Sequence, residues 1–297
     1  PASDTSFALM LAAQERGHSV WHCGASDVEL ADGTVWARAC PATADEQAAP
    51  PLRLGPVERL DLAHADAVLI RTDPPFDSAY LHLTLLLDHV SNETLVVNAP
   101  RGLRDANEKL YACRFPEVTP PTIVTSDPDR LLEFAREHGA AVLKPIAGHG
   151  GRGVMALRPG DDNAPSIIDT LTERGTVAVM AQRFLEKVAA GDKRILLLDG
   201  EPLGAVLRIP TRADFRANIC VGGSTVACEI DDADRRIIEA IAPSLRDDGL
   251  IFVGLDVVDG HLTEVNVTSP TGIRQLAQLA GTRPDVEVIQ WLERRVA

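Results

Sequence analysis

Two Asp-Gly pairs, Asp199-Gly200 and Asp259-Gly260, each sit between strand-like apolar runs and constrain this 297-residue chain more than any other feature. Asp-Gly supplies the two positive-φ residues that a tight hairpin turn requires. "KRILLLDGEPLGAVLRIP" and "GLIFVGLDVVDGHLTEVNVTSP" therefore read as hairpins, and the last two-thirds of the chain read as hairpin-rich, with few long helices.

The second hairpin carries Asp256, Glu264 and Asn266 among Val, Leu and Ile. Glu264 and Asn266 are two apart and share a strand face. A two-residue loop would pair Val258 with His261 and put Asp256 and Glu264 on opposite faces. A three-residue loop, Asp259-Gly260-His261, pairs Val258 with Leu262 and sets Asp256 opposite Glu264; this register is the expectation. Three converging oxygens suit Mg²⁺, which takes few carboxylates and completes its shell with water and phosphate. The plain alternative, a solvent-facing polar edge, fits poorly with a strand that otherwise reads as buried.

"AAVLKPIAGHGGRGVMALRPG" contains a literal G-x-G-x-x-G at Gly148, Gly150 and Gly153. The dinucleotide fingerprint needs a helix to open at its third glycine, but "VMALRPG" suits a strand. No Lys-Ser/Thr follows to make a Walker loop. What remains is a glycine-rich turn between strands, either a flexible loop or a flap offering backbone N–H groups to phosphates. Lys144 ends the strand before it and Lys109 stands in "NEKL"; either can set a point charge on such phosphates.

Ahead of these lies an α/β pattern. "SDTSFALMLAAQERGHSV" is a capped helix running into a short strand, and "ADAVLIRTD" and "TLVVNAP" are apolar strands flanking the helix-like "SAYLHLTLLLDHV". Such alternation predicts an open parallel sheet. Sheets of that kind normally begin on a strand, whereas this sequence opens on a helix. The texture changes near residues 100–110, which sets a domain boundary. The net charge of −14, from 43 acidic and 29 basic residues, opposes non-specific binding to nucleic acid or anionic lipid. The five cysteines are scattered and never spaced C-x-x-C, which argues against a disulfide framework or zinc site and for a reducing cytoplasm. No apolar run is long enough for a membrane span. Cys113 and Cys220 read as buried small hydrophobes, and no nucleophilic triad or His metal pair is found. Arg208, Arg212 and Arg216 cluster around a loop that reads as a lid, while Asp192-Lys193-Arg194 reads on its own as a solvated charged turn.

Together, "RTDPPFD" (71–77), "LRDANEKL" (103–110), "LKPIAGHGG" (143–151) and the two hairpins resemble the prokaryotic glutathione synthetases of the ATP-grasp superfamily, in order and over nearly the whole chain. The resemblance implies an N-terminal substrate-binding α/β domain with an open parallel sheet (1–105), then a two-part ATP-grasp fold: a small lid subdomain (106–185) and a large subdomain with the metal site (186–297). It implies that ATP phosphorylates the carboxylate of γ-glutamylcysteine and that glycine's amine displaces the phosphate. By the same resemblance, Lys109 and Lys144 contact ATP phosphates, with Lys144 also catalytic, and Gly148, Gly150 and Gly151 close over them. Gln182, Arg183, Phe184 and Leu185 form the adenine hinge, Asp192 lies near the ribose, and Arg208 is the transition-state arginine. Asp256, Glu264 and Asn266 match ligands of Mg²⁺, with Mn²⁺ as an alternative ion, and Asp73, Arg216, Asn218, Ser269 and Thr271 fall where substrates are handled. The implied partners are small amino-acid or dipeptide substrates, with no nucleic acid or membrane, in a cytoplasmic homo-oligomer. The lid sequence "PTRADFRANICVGGS" lacks the family's glycine-and-glutamate pattern before Arg216, and Ser224 replaces a usual basic residue. These departures motivate a second reading, a related ligase or cyclase recruited to another small amino acid, as in antibiotic synthesis.

Overall fold

The computed structural model describes residues 4–90, 94–210 and 224–296. Helix α1 (Thr5–Glu15) is started by Asp4, whose carboxylate accepts from Phe7 N at 2.8 Å. Five strands follow: β1 (Trp21–His22), β2 (Val28–Ala31), β3 (Thr34–Ala44), β4 (Leu52–Leu54) and β5 (Glu58–Asp61), with all the others pairing antiparallel to the long β3. Strands β6 (Ala67–Leu69) and β7 (Leu95–Val97) run parallel, connected through α2 (Ser78–Leu87), which Asp77 caps. Helix α3 (Pro100–Asp105) follows. The expected parallel sheet is thus present only as this pair, the one parallel pairing among the described residues. The antiparallel sheet around β3 was not foreseen, because its partner strands are short, rich in charge and largely exposed, so they lack the apolar runs that mark buried strands.

The middle of the chain forms β8 (Thr122–Thr125), α4 (Pro128–Glu137), β9 (Ala141–Pro145), β10 (Met155–Leu157), α5 (Ala164–Leu171) and β11 (Val179–Arg183), in an antiparallel sheet ordered β10-β9-β11-β8. A strand, not a helix, follows the glycine loop. Leu143, Leu157, Val179 and Ala181 face a core with Leu131 and Phe134 of α4 and Ile168 of α5. Alternation turns Val142, Lys144 and Gln182 to the opposite face.

The last part comprises β12 (Asp192–Leu198), β13 (Glu201–Ile209), β14 (Ser224–Cys228), α6 (Asp232–Asp247), β15 (Phe252–Val258), β16 (His261–Asn266), α7 (Ile273–Ala280) and α8 (Pro284–Val296), with sheet order β14-β13-β12-β15-β16. Both Asp-Gly turns of this sheet have positive φ at both residues, 54° and 75° at 199–200, 50° and 68° at 259–260, as does Asp32-Gly33 between β2 and β3, at 50° and 81°. Ile195 and Leu197 face α6 residues Ile237 and Ile241, whereas Leu196 and Leu198 face α1 and α8. Helix α6, the longest described, opens on a capping box of Asp231 and Asp234, a legible signal that a hairpin-centred reading passes over. Asn98 ties β7 to this sheet: Oδ1 accepts from Ile251 N at 2.8 Å and Phe252 N at 2.7 Å, while Nδ2 donates to Phe252 O at 2.9 Å and Val267 O at 2.8 Å.

Candidate active site

The hairpin β15–β16 reaches the expected face by another route. Its loop has two residues, pairing Val258 with His261, not the expected three; a bulge then leaves Thr263 unpaired, so Asp256 still stands opposite Glu264 and Gly254 opposite Asn266. One extra residue in one strand shifts the register by one, as an odd loop would. Asp256, Glu264 and Asn266 therefore share a face. Among the described residues no three His, Cys, Asp or Glu side chains form a metal cluster. The set reaches three oxygen donors through Asn266, whose Nδ2 donates to Gly254 O at 3.2 Å.

Register adds further charge to the same face, since Asp192 pairs with Arg208 across β12–β13 and Arg194 with Asp256 across β12–β15. Arg208 Nη2 lies 2.5 and 2.6 Å from the two Asp192 oxygens and 2.9 Å from Asp256 Oδ2. Arg194 Nε donates to Asp256 Oδ1 at 2.6 Å and its Nη2 to Oδ2 at 3.1 Å. The 192–194 segment is thus no solvated turn: Arg194 is buried, and Lys193 points to the other face, onto Asp231 and Asp234. Burial alone would raise the Asp256 carboxyl, but the two arginines hold it well below the usual carboxylate range. Asp192 moves the other way, pushed up to about 6 by burial against the pull of Arg208, with the charge of Asp256 adding to the rise.

The two lysines bridge this sheet to the smaller one. Lys109 is 4% exposed, with Nζ 3.0 Å from Glu264 Oε1 and donating to Gly148 O. Asn107 sets its position, accepting from Lys109 N and Leu110 N, each at 3.1 Å, and donating to Ile146 O at 3.2 Å. Lys144 Nζ donates to Gln182 Oε1 at 2.6 Å and Thr263 O at 3.3 Å. Burial lowers its pKa, Glu264 opposes that, and the charge of Lys109 reinforces it. Glu108, missed by the sequence reading, accepts from Val267 N and Thr268 N, each at 3.1 Å, and from Thr268 Oγ1 at 2.8 Å, pinning the end of β16.

Between the two sheets lies an open cleft. Lys109, Lys144, Gly148, Gly151, Gln182, Arg183, Phe184, Leu185, Asp192, Asp256 and Glu264 line it, so most of the expected residues meet in one space, whereas Arg208 and Asn266 stand behind the lining, beside Asp192 and Asp256 and on the Asp256 face respectively. Gly150 stays outside the lining but shares the loop's left-handed backbone, with φ 60° against 75° at Gly151. At Gly148 a Cβ would come within 3.1 Å of Pro145 O. The loop therefore needs glycine for conformation and for space. Asp73 lies in the 71–77 loop, which meets the 269–271 loop where Arg71 Nη2 donates to Pro270 O at 3.0 Å and Ser269 Oγ lies 3.5 Å from Arg71 O. Thr271 O accepts from Arg194 Nη1 at 3.3 Å. Arg212, Arg216, Asn218 and Cys220 lie outside the described residues. Cys113 is exposed rather than buried.

Residues 108–281 match the prokaryotic glutathione synthetase ATP-grasp domain, and residues 1–104 match the N-terminal domain of the same family. The chain belongs to the prokaryotic glutathione synthetase family. It is 49% identical to the glutathione synthetase of Thermosynechococcus vestitus over 302 residues, covering 98% of this chain and 95% of that one. It is 42% identical to the Brucella melitensis enzyme, covering 94% and 89%. Among solved structures, the ATP-grasp ligase PsnB with minimal precursor, Mg and ADP aligns at TM-score 0.65 and 17% identity, over 98% of this chain and 94% of that one. D-cycloserine synthetase DcsG aligns at TM-score 0.63 and 18% identity, over 80% and 86%. These distant likenesses show the ATP-grasp fold alone. Membership in the glutathione synthetase family makes the chain an ATP-grasp ligase forming an amide bond and does not favour the recruited-cyclase reading. No helix among the described residues is long and apolar enough to cross a membrane.

Proposed function

We propose that the cleft joins γ-glutamylcysteine and glycine into glutathione with conversion of ATP to ADP and phosphate, inside the cytoplasm and in a homo-oligomer. The observation that carries this reading is the convergence of Lys109 and Lys144, from separate elements, on the Asp256–Glu264 face beside the glycine loop. The family's full-length likeness supports the choice of substrates.

In this reading residues 106–185 act as lid and residues 186–297 as base, with 1–105 holding substrate. Residues 182–185 receive adenine, Asp192 the ribose, and Lys109 and Lys144 the phosphates under Gly148, Gly150 and Gly151. Asp256, Glu264 and Asn266 fit a hard divalent cation, since all three offer oxygen from one face. Mg²⁺ held there, or Mn²⁺ in its place, would neutralise phosphate charge. A carboxylate oxygen of γ-glutamylcysteine attacks the γ-phosphorus and ADP leaves. The glycine nitrogen then attacks the acyl carbon, losing a proton as phosphate departs. Arg208, held by Asp192 and Asp256, offers its charge to the transferring phosphoryl group, and positioned cations of this kind do most of the work of phosphoryl transfer. Asp73, Ser269 and Thr271 border the substrates, and the same role is assigned to Arg216 and Asn218, which lie outside the described residues.

ADP release over a panel of acids and amines tests the proposal. Turnover is expected only when γ-glutamylcysteine and glycine are both present. Silence with that pair, alongside turnover on another, overturns it.

A further inference from the structure

Arg194 has no part in the reading above, yet its side chain is placed by several independent constraints. It is 6% exposed and grips both oxygens of Asp256, at 2.6 and 3.1 Å, while its third nitrogen, Nη1, donates to Thr271 O at 3.3 Å. The stem reaches that position through a slot that a side chain at Gly254 would crowd. A Cβ on Gly254 would lie 3.2 Å from Arg194 Cδ, 3.4 Å from its Nε and 3.2 Å from Pro270 Cβ. On the far side Gly272 has φ 118°, and a Cβ there would lie 3.7 Å from Arg194 Cγ.

A planar fork that takes both oxygens fixes the carboxylate plane, which an ammonium cannot do. The remaining donor fastens the same guanidinium to the 269–272 loop. We infer that Arg194 is a positioning residue that orients Asp256 for its divalent cation and couples that carboxylate to the loop bordering the substrate. The inference rests on Asp256 being a metal ligand. Partners that orient a ligand in this way typically govern metal affinity by about 10–100-fold.

The test compares Arg194→Lys and Gly254→Ala with Glu264→Gln as the metal control. Mg²⁺ is titrated calorimetrically into enzyme holding ADP, thermal melts check folding, and kcat and KM for the acid substrate are measured at saturating metal. Arg194→Lys is expected to weaken Mg²⁺ about 10–100-fold and to raise KM more than it lowers kcat, with ADP binding in chelator unchanged. Gly254→Ala, which crowds the stem, moves the same quantities less far and carries the test alone if the lysine variant does not fold. Unchanged Mg²⁺ affinity in a folded variant, where Glu264→Gln weakens it, overturns the inference. Unchanged affinity in Glu264→Gln as well overturns the metal reading itself. A collapse of kcat with both affinities intact also overturns it, by showing that Arg194 acts on the reacting atoms.

Discussion

Asp192 and Asp256 lie in one cluster around Arg208, yet their protons are held in opposite senses. Arg194 and Arg208 keep Asp256 ionised at any ordinary pH, whereas burial lifts Asp192 to about 6. If Asp192 accepts from ribose hydroxyls, its ionised form is the stronger acceptor, and that form grows as pH rises through about 6. Adenosine carries no phosphate to titrate in this range and makes a clean probe. Its affinity should climb as pH rises through about 6 and level off above. Asp192→Asn should bind adenosine weakly with no such slope; a slope that survives the substitution removes Asp192 from the ribose site. In folding the sign reverses. A carboxyl that holds its proton more tightly when folded contributes stability that is full below the ordinary carboxylate value and is lost as pH rises toward about 6.

At the scale of elements, the β15–β16 hairpin separates what the sequence reveals from what it hides. Asp-Gly announces the turn and the spacing of Glu264 and Asn266 announces their shared face, but nothing local marks Thr263 as the bulged residue. Thr263 is fixed by tertiary contacts, its carbonyl taking Lys144 Nζ at 3.3 Å and its Oγ1 donating to Asp256 O at 3.1 Å. Arg194 was hidden for a related reason. Beside Asp192 and Lys193 it looks like surface charge, and only strand alternation across three strands puts it under Asp256. The lysines and the glycine loop were legible through the family resemblance, since alone a lysine reads as surface charge and the loop as a flexible turn. The bulge yields a prediction contrary to intuition. Deleting Thr263 would leave a regular two-residue hairpin, with Leu262 still opposite Val257 and Glu264 still opposite Asp256. Mg²⁺ binding should therefore persist, while KM for ATP rises because Lys144 loses a partner. Loss of Mg²⁺ binding in a folded deletion variant would contradict this register.

Across the whole molecule, the N-terminal strands and the large sheet share their cores. Tyr80, Leu83 and Val96 pack in one cluster with Ile195, Leu255 and Val265, and Ala8, Leu9 and Ala12 of α1 pack in another with Leu196, Phe252 and Trp291. The smaller sheet has a core of its own. Two family domains that meet near residue 105 should thus unfold as one block, with the lysine-bearing sheet able to open separately and admit nucleotide. Asn98 sits at the seam of that block. Asn98→Ala would orphan Ile251 N, Phe252 N, Phe252 O and Val267 O. An unmet buried group costs about 1–3 kcal/mol, so a loss of about 3 kcal/mol or more is expected once water offsets part of the deficit. Denaturant unfolding followed by hydrogen exchange distinguishes the alternatives. A shared seam requires β6, β7, β12 and β15 to lose protection together in the variant, whereas early exposure of β6 and β7 alone would mean that the N-terminal strands form an independent unit resting on the ligase body.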